Sequence, residues 1–258
     1  MTNRIDELFA RKKNKVLSVY FTAGFPALND TVTIIQSLEL AGCDMIEIGI
    51  PFSDPLADGP VIQHSSTIAL QNGMNVKTLF SQLKNIRQSV HIPLILMGYM
   101  NPVLQYGFEK FCNEAHAIGI DGLIIPDLPP DVFEKQYRAT FESKGLHNIM
   151  LITPRTEESR IRYMEQTGSG FIYAVASSST TGSVVKDKAA QLDYFNRIQN
   201  LHLKLPVMAG FGISNREQFL SVCNYVQGGI IGTAFIKQLE QSSDLKAGIQ
   251  SFIQSVLI

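Results

Sequence analysis

Eight short runs rich in β-branched and aliphatic residues recur along the chain, each separated from the next by room for one helix. They are VLSVYFT (16–22), DMIEIGI (44–50), PLILMGY (93–99), DGLIIPD (121–127), NIMLITP (148–154), GFIYAVA (170–176), LPVMAGFG (205–212) and GGIIGTA (228–234). The intervening stretches have helical periodicity. In DYFNRIQNL, Phe195, Ile198 and Leu201 share a face, as do Phe219 and Val222 after a Ser214–Glu217 capping box. A strand followed by a helix and another strand pairs in parallel, with the helices covering the sheet. Eight such units close into a barrel. The main alternative, an open doubly wound sheet, usually carries a GxGxxG turn after its first strand; that place here reads TAGFPALND. No linker or low-complexity segment divides the 258 residues. The pattern predicts an α/β fold, a single (β/α)8 TIM barrel over residues 1–258 with an additional N-terminal helix over about 1–13.

Composition narrows the function classes. A formal net charge of −1 gives no basis for nucleic acid or an anionic membrane as partner, and no apolar run reaches the length of a membrane span. The first residues, MTNRIDELFARKKNK, lack the apolar core of a secretory signal. They read as an amphipathic helix with Ile5, Leu8 and Phe9 on one side, and RKKNK complements its C-terminal dipole. The three cysteines, Cys43, Cys112 and Cys223, are far apart, which fits a reducing cytoplasm. No CxxC, HxH or HxxxH spacing occurs, so no metal site is expected.

The second strand contains a carboxylate. Side chains alternate along a strand, so Cys43, Met45, Glu47 and Gly49 share one face and Ile46, Ile48 and Ile50 the other. The isoleucines need the helix layer, so Glu47 faces the barrel interior near its C-terminal end. Burying an unpaired polar group there costs about 2–7 kcal/mol. Inward carboxylates at that mouth are commonly catalytic, although a structural glutamate paired to a lysine or backbone amides is the other reading. The following loop, PFSDPLADGP, places Asp54 and Asp58 across the same mouth. Asp54 reads as a turn-former; for Asp58, turn-forming and site roles are both open. Tyr20, Met97, Tyr99 and Tyr173 fall at inward positions, either as upper-layer core or as the walls of a pocket for a flat apolar ligand.

The last two strands end in glycine. AGFGIS (209–214) holds Phe211 and Gly212, IGTAF (231–235) holds Gly232 and Thr233, and TTGS (180–183) holds Thr181 and Gly182. Glycine lets backbone N–H groups approach an anion, and helix N-termini supply donors and a favourable dipole. Glycines also end strands for steric reasons. Loops after strands seven and eight are the usual phosphate site of such barrels.

These residues together carry a resemblance that runs from end to end. TAGFP (22–26), EIGIPFSDPLADGPVIQ (47–63), LMGYMNPVLQYG (96–107), the TTG of the sixth loop, GFGIS (210–214) and IGTA (231–234) resemble the tryptophan synthase alpha chain family. The resemblance implies retro-aldol cleavage of indole-3-glycerol phosphate to indole and glyceraldehyde 3-phosphate, with no cofactor in this chain. It also implies a pyridoxal-phosphate (PLP) beta chain as partner in an α2β2 assembly. It implies catalytic roles for Glu47, with a raised pKa, and Asp58, left ionised. Tyr20, Met97, Tyr99, Tyr173, Thr181, Gly182, Phe211, Gly212, Gly232 and Thr233 would bind substrate. The loops holding Pro51, Asp54, Met100, Asn101 and Pro102 would meet the partner. Tyr20 stands where many members have Phe, Phe25 where Asp is common, and Ser179-Thr180-Thr181-Gly182 where GVTG is common. The residues alone leave open another phosphate-binding barrel enzyme, or a non-catalytic subunit that activates its partner.

Overall fold

The computed structural model describes residues 2–175, 188–210 and 212–258. Nine parallel strands run β1 Val16–Thr22, β2 Met45–Gly49, β3 Leu94–Met97, β4 Gly122–Ile124, β5 His147–Asn148, β6 Met150–Ile152, β7 Ile172–Val175, β8 Val207–Gly210 and β9 Gly228–Ile231. Their order in the sheet is β5-β4-β3-β2-β1-β9-β8-β7-β6. The two edges, β5 and β6, are successive pieces of one run separated only by Ile149. The sheet therefore closes through the chain itself, and the barrel has eight staves. The fifth predicted strand, 148–154, is split because it changes partner midway: β5 pairs with β4, and β6 pairs with β7. At the seam Ile149 N donates to Leu123 O at 3.0 Å, and Ser169 N to Asn148 O at 3.0 Å. Closure removes the exposed edges that an open parallel sheet would leave.

Two apolar layers follow from strand alternation. Ile46, Ile48 and Ile50 join the helices in the outer layer, with Phe195, Ile198, Leu201, Phe219 and Val222 on the expected helix faces. Met45, Ile95, Ile124, Met208 and Ile230 fill the barrel interior. Ile5, Leu8 and Phe9 join that inner group from below, so the N-terminal helix plugs the bottom of the barrel. This helix spans Arg4–Arg11 rather than 1–13. Asn3 caps its start, accepting from Ile5 N at 2.9 Å, and the backbone turns extended at Lys12. Lys13 Nζ donates to Phe9 O at 2.7 Å, as expected for a basic C-terminus. A second cap also differs from the sequence reading. The helix Arg216–Val222 is capped by Asn215, whose Oδ1 accepts from Gln218 N at 3.0 Å. Gln218 reaches back to Ser214 N at 2.8 Å, so the reciprocal pair uses Asn215 and Gln218 in place of Ser214 and Glu217. The backbone at Asn215 is extended (φ −150°, ψ 173°), as a cap requires.

The plug is fastened by Asp121, 2 % exposed and just ahead of β4. Its carboxylate accepts from Arg4 Nη1 at 2.9 Å, Arg87 Nη2 at 2.5 Å and Leu94 N at 2.8 Å. Its backbone carbonyl accepts from Asn3 Nδ2 at 2.7 Å. Removing one member of such a buried pair leaves the other charge uncompensated. Asp121→Ala is therefore expected to lower stability by about 3 kcal/mol, read by urea denaturation, with turnover largely retained because Asp121 lies at the opposite end from the strand C-termini.

Candidate active site

Strand β1 brings three hydroxyls to the inner face of the barrel. In its register with β2, Ser18 lies opposite Met45, Tyr20 opposite Glu47 and Thr22 opposite Gly49. Ser18 Oγ donates to Glu47 Oε1 at 2.9 Å. Thr22 Oγ1 and Ser65 Oγ are 2.7 Å apart, which ties the strand end to the helix Pro60–Gln71 beyond the Asp58 loop. Glu47 is inward and fully buried, as strand alternation predicts. Cys43 departs from that prediction: β2 begins only at Met45, so Cys43 lies in the preceding turn, packs in the outer layer and donates from Sγ to Met45 O at 2.9 Å.

Glu47 Oε2 is buried and has no hydrogen-bond partner among the described residues. Burial raises the carboxyl to about 8 against a partial opposing effect of the Ser18 hydroxyl. Asp58 is half-buried in the loop above. Its Oδ2 accepts from Tyr99 Oη at 3.2 Å, and the same phenol oxygen accepts from Ala57 N at 3.0 Å. Burial raises Asp58 to about 6, with the Tyr99 bond acting the other way. Both carboxyls are thus raised, where one raised and one ordinary value was expected. The reason is that the Asp58 loop is folded against Tyr99 and partly desolvated. The order survives: near pH 7 Glu47 is mostly protonated and Asp58 mostly ionised.

Tyr20, Met97, Tyr99 and Asp58 line one cleft, together with Ile50, Phe52 and Pro126. Glu47 lies one pleat deeper along β2. Tyr173, also inward and 5 % exposed, is close enough for the charges of Glu47 and Asp58 to raise its pKa, after the larger effect of burial. Two tyrosine hydroxyls rest on strand-end glycines. A Cβ at Gly49 would lie 2.2 Å from Tyr20 Oη, and one at Gly210 would lie 2.0 Å from Tyr173 Oη. Those ring positions exist only because both residues lack a side chain.

At the ends of β8 and β9, Gly212 has φ +78°, a conformation that favours glycine. Gly232 precedes the helix Thr233–Gln241, whose start has no side-chain cap among the described residues. Gly232 also abuts the Tyr20 ring, which a Cβ there would meet at 3.3 Å. Thr181, Gly182 and Phe211 lie outside the described residues.

Of the proposed partner-facing residues, Pro51, Asn101 and Pro102 line a mostly apolar groove outside the cleft with Phe52, Val76 and Tyr106. Asp54 is exposed nearby, accepting from Ser53 Oγ at 2.5 Å. Met100 is turned inward, 9 % exposed, with its backbone N–H held by Asp127 Oδ1 at 2.9 Å. Sequence reasoning overlooked Ser18 and Phe52. Ser18 was discoverable, since it shares the inner face with Tyr20 and Thr22 at two-residue spacing. Phe52, whose ring centroid is 5.2 Å from that of Tyr99, sits in an irregular loop where no periodicity applies.

Comparison with known proteins gives a consistent result. The family model described as "Tryptophan synthase alpha chain" matches residues 7–256. Curated tryptophan synthase alpha chains of Flavobacterium johnsoniae and Flavobacterium psychrophilum are 57 % and 55 % identical over 254 residues, 98 % of this chain and 99 % of each relative. Among solved structures, the alpha subunit of Legionella pneumophila superposes with a TM-score of 0.88 at 32 % identity, covering 99 % of this chain and 97 % of that one. A chain of Mycobacterium tuberculosis tryptophan synthase gives 0.89 at 28 % identity, covering 99 % and 97 %. The chain belongs to the tryptophan synthase alpha chain family, a lyase family of tryptophan biosynthesis.

Proposed function

We propose that the chain cleaves indole-3-glycerol phosphate to indole and glyceraldehyde 3-phosphate, using Glu47 as proton carrier and Asp58 as anionic partner. The observation that carries this reading is the Glu47 carboxyl: fully buried, raised to about 8, with Oε2 unpartnered inside the barrel mouth. The bond between indole C3 and the glycerol chain breaks when C3 is protonated, because the ring then accepts the bonding electrons. A neutral carboxylic acid at pH 7 supplies that proton, and its carboxylate then accepts the proton of the side-chain hydroxyl. As the ring gains positive charge its N–H becomes acidic, and an ionised Asp58 accepts a hydrogen bond from it. Two carboxyls separated in pKa by their surroundings divide the work in this way.

The substrate phosphate is assigned to Gly212, Gly232 and Thr233, with Thr181, Gly182 and Phe211 as further members of the site. No organic cofactor or metal is required by this chemistry. Indole is small and apolar, and a face that covers the mouth would keep it from bulk water. The groove at Pro51, Asn101 and Pro102, with Asp54 beside it, adjoins the cleft. We assign that face to a PLP-dependent beta chain in an α2β2 complex. A structural relative is a tryptophan synthase complex from Pyrococcus furiosus, with a TM-score of 0.85 at 30 % identity and 95 % of this chain covered. No helix among the described residues is long and apolar enough to cross a membrane, and we place the reaction in the cytoplasm.

Three measurements test this reading. Turnover against pH should be bell-shaped, rising through about 6 as Asp58 ionises and falling through about 8 as Glu47 loses its proton. Glu47→Gln should lower kcat by about 10²–10⁴ with substrate affinity nearly kept, and Asp58→Asn should also lower turnover severely, changing affinity less and removing the acidic limb from what activity remains. A Glu47→Gln enzyme at near-normal rate would refute the assignment.

Gly212→Val should raise KM for indole-3-glycerol phosphate by about tenfold, the effect of one lost contact of about 1.4 kcal/mol. Condensation of indole with phosphate-free glyceraldehyde should change little. Equal loss with both substrates would make the glycines purely structural.

Indole release should rise about tenfold when a cognate beta chain is added, since about 1.4 kcal/mol of loop ordering supplies that factor. Sedimentation should show the larger assembly. A monomer that turns over at full rate regardless of the beta chain would instead be a stand-alone lyase.

A further inference from the structure

We infer that Ser18 is a positioning residue for the reacting carboxyl: its hydroxyl holds Oε1 of Glu47 and thereby makes Oε2 the edge that meets substrate. This rests on the reading of Glu47 as proton carrier and deepens it. Ser18 and Glu47 are both fully buried, on adjacent strands of the inner face. The cross-strand neighbours of Ser18 are Met45 on one side and Ile230 on the other, so this hydroxyl stands in an otherwise apolar layer. An unbonded hydroxyl there would be unfavourable. Among the described residues its hydroxyl donates to Glu47 Oε1, at 2.9 Å.

That bond has a chemical consequence. A carboxyl group rotates readily about its last torsion, which is broad and two-fold. A hydroxyl has one proton to donate, and donating it to Oε1 marks Oε1 as the carbonyl oxygen of the neutral acid. The acid proton then resides on Oε2, the oxygen without a partner. In the forward step the Oε2–H bond breaks as the C3–H bond of the indole ring forms. The resulting negative charge spreads to Oε1, where the Ser18 hydroxyl stabilises it. The carboxylate then takes the hydroxyl proton of the glycerol chain and returns to its starting state. Ser18 thus fixes the proton's location without touching substrate.

The test compares Ser18→Ala and Ser18→Thr in the full chain, with the Glu47 carboxyl followed by 13C NMR of labelled glutamate. The signal is assigned by its loss in Glu47→Gln. Removing a donor to the ionised form raises a carboxyl's pKa, so Ser18→Ala should move the midpoint upward by about one pH unit. The alkaline limb of the turnover profile should move with it. Loss of orientation should lower kcat about ten- to a hundredfold with KM nearly unchanged, and Ser18→Thr should restore both. A folded Ser18→Ala with unmoved midpoint and full kcat, while Glu47→Gln is inactive, would overturn the Ser18 role alone. Full turnover in Glu47→Gln would overturn the proton-carrier reading and this role with it.

Discussion

Removing one carboxyl from water is the constraint around which the rest of this barrel is arranged. Glu47 has no water contact, and its neutral form is favoured for that reason. Exclusion of water requires closure on every side. The outer isoleucines of β2 lock that strand against the helices, and β1 and β3 flank it by backbone pairing. From below, Ile5, Leu8 and Phe9 complete the inner core, and Asp121 fastens their helix through Arg4 and Asn3.

The upper side of Glu47 is closed by aromatic rings, and those rings are possible only through glycine. Tyr20 occupies the space above Gly49 and touches Gly232, and Tyr173 occupies the space above Gly210. Glycine within a strand normally weakens it by about 0.5–1 kcal/mol. Here the central, fully paired strands absorb that cost, and the gain is a flat aromatic lining next to the carboxyl. Gly232 therefore serves two neighbours, the Tyr20 ring on one side and the uncapped helix start on the other.

The eight-stave plan and the inward direction of Glu47 were legible because both follow from local periodicity. Strand alternation over Ile46, Ile48 and Ile50 admits one orientation only. Features that depend on partners distant in sequence were not legible. The fifth stave divides at Ile149 because its two halves pair with strands on either side of the seam, which no local pattern encodes. The cap fell on Asn215, one residue beyond Ser214, because Asn and Ser are nearly equal as N-caps. The raised pKa of Asp58 comes from burial of its loop, offset in part by a bond from Tyr99, 41 residues away, and neither follows from a local pattern. Ser18 was visible as an inward hydroxyl, but its partnership with Glu47 needs the register of β1 on β2.

The two carboxyls differ most in the kind of element that holds them. Glu47 is on a central strand, held by two ladders and by Ser18, and has little freedom to move. Asp58 is on a loop, and its partner Tyr99 offers a neutral phenol at 3.2 Å, a long contact for O–H···O. An indole N–H that is acquiring positive charge is a better donor to a carboxylate than a neutral phenol. In the proposed reaction, exchange of one donor for the other is thus favoured as the ring is protonated. In the reaction proposed above, that 3.2 Å contact would keep Asp58 near the cleft until the better donor forms. A rigid proton source and a releasable anion are what a retro-aldol at an aromatic carbon needs, because the proton must be placed at one atom while charge develops several bonds away.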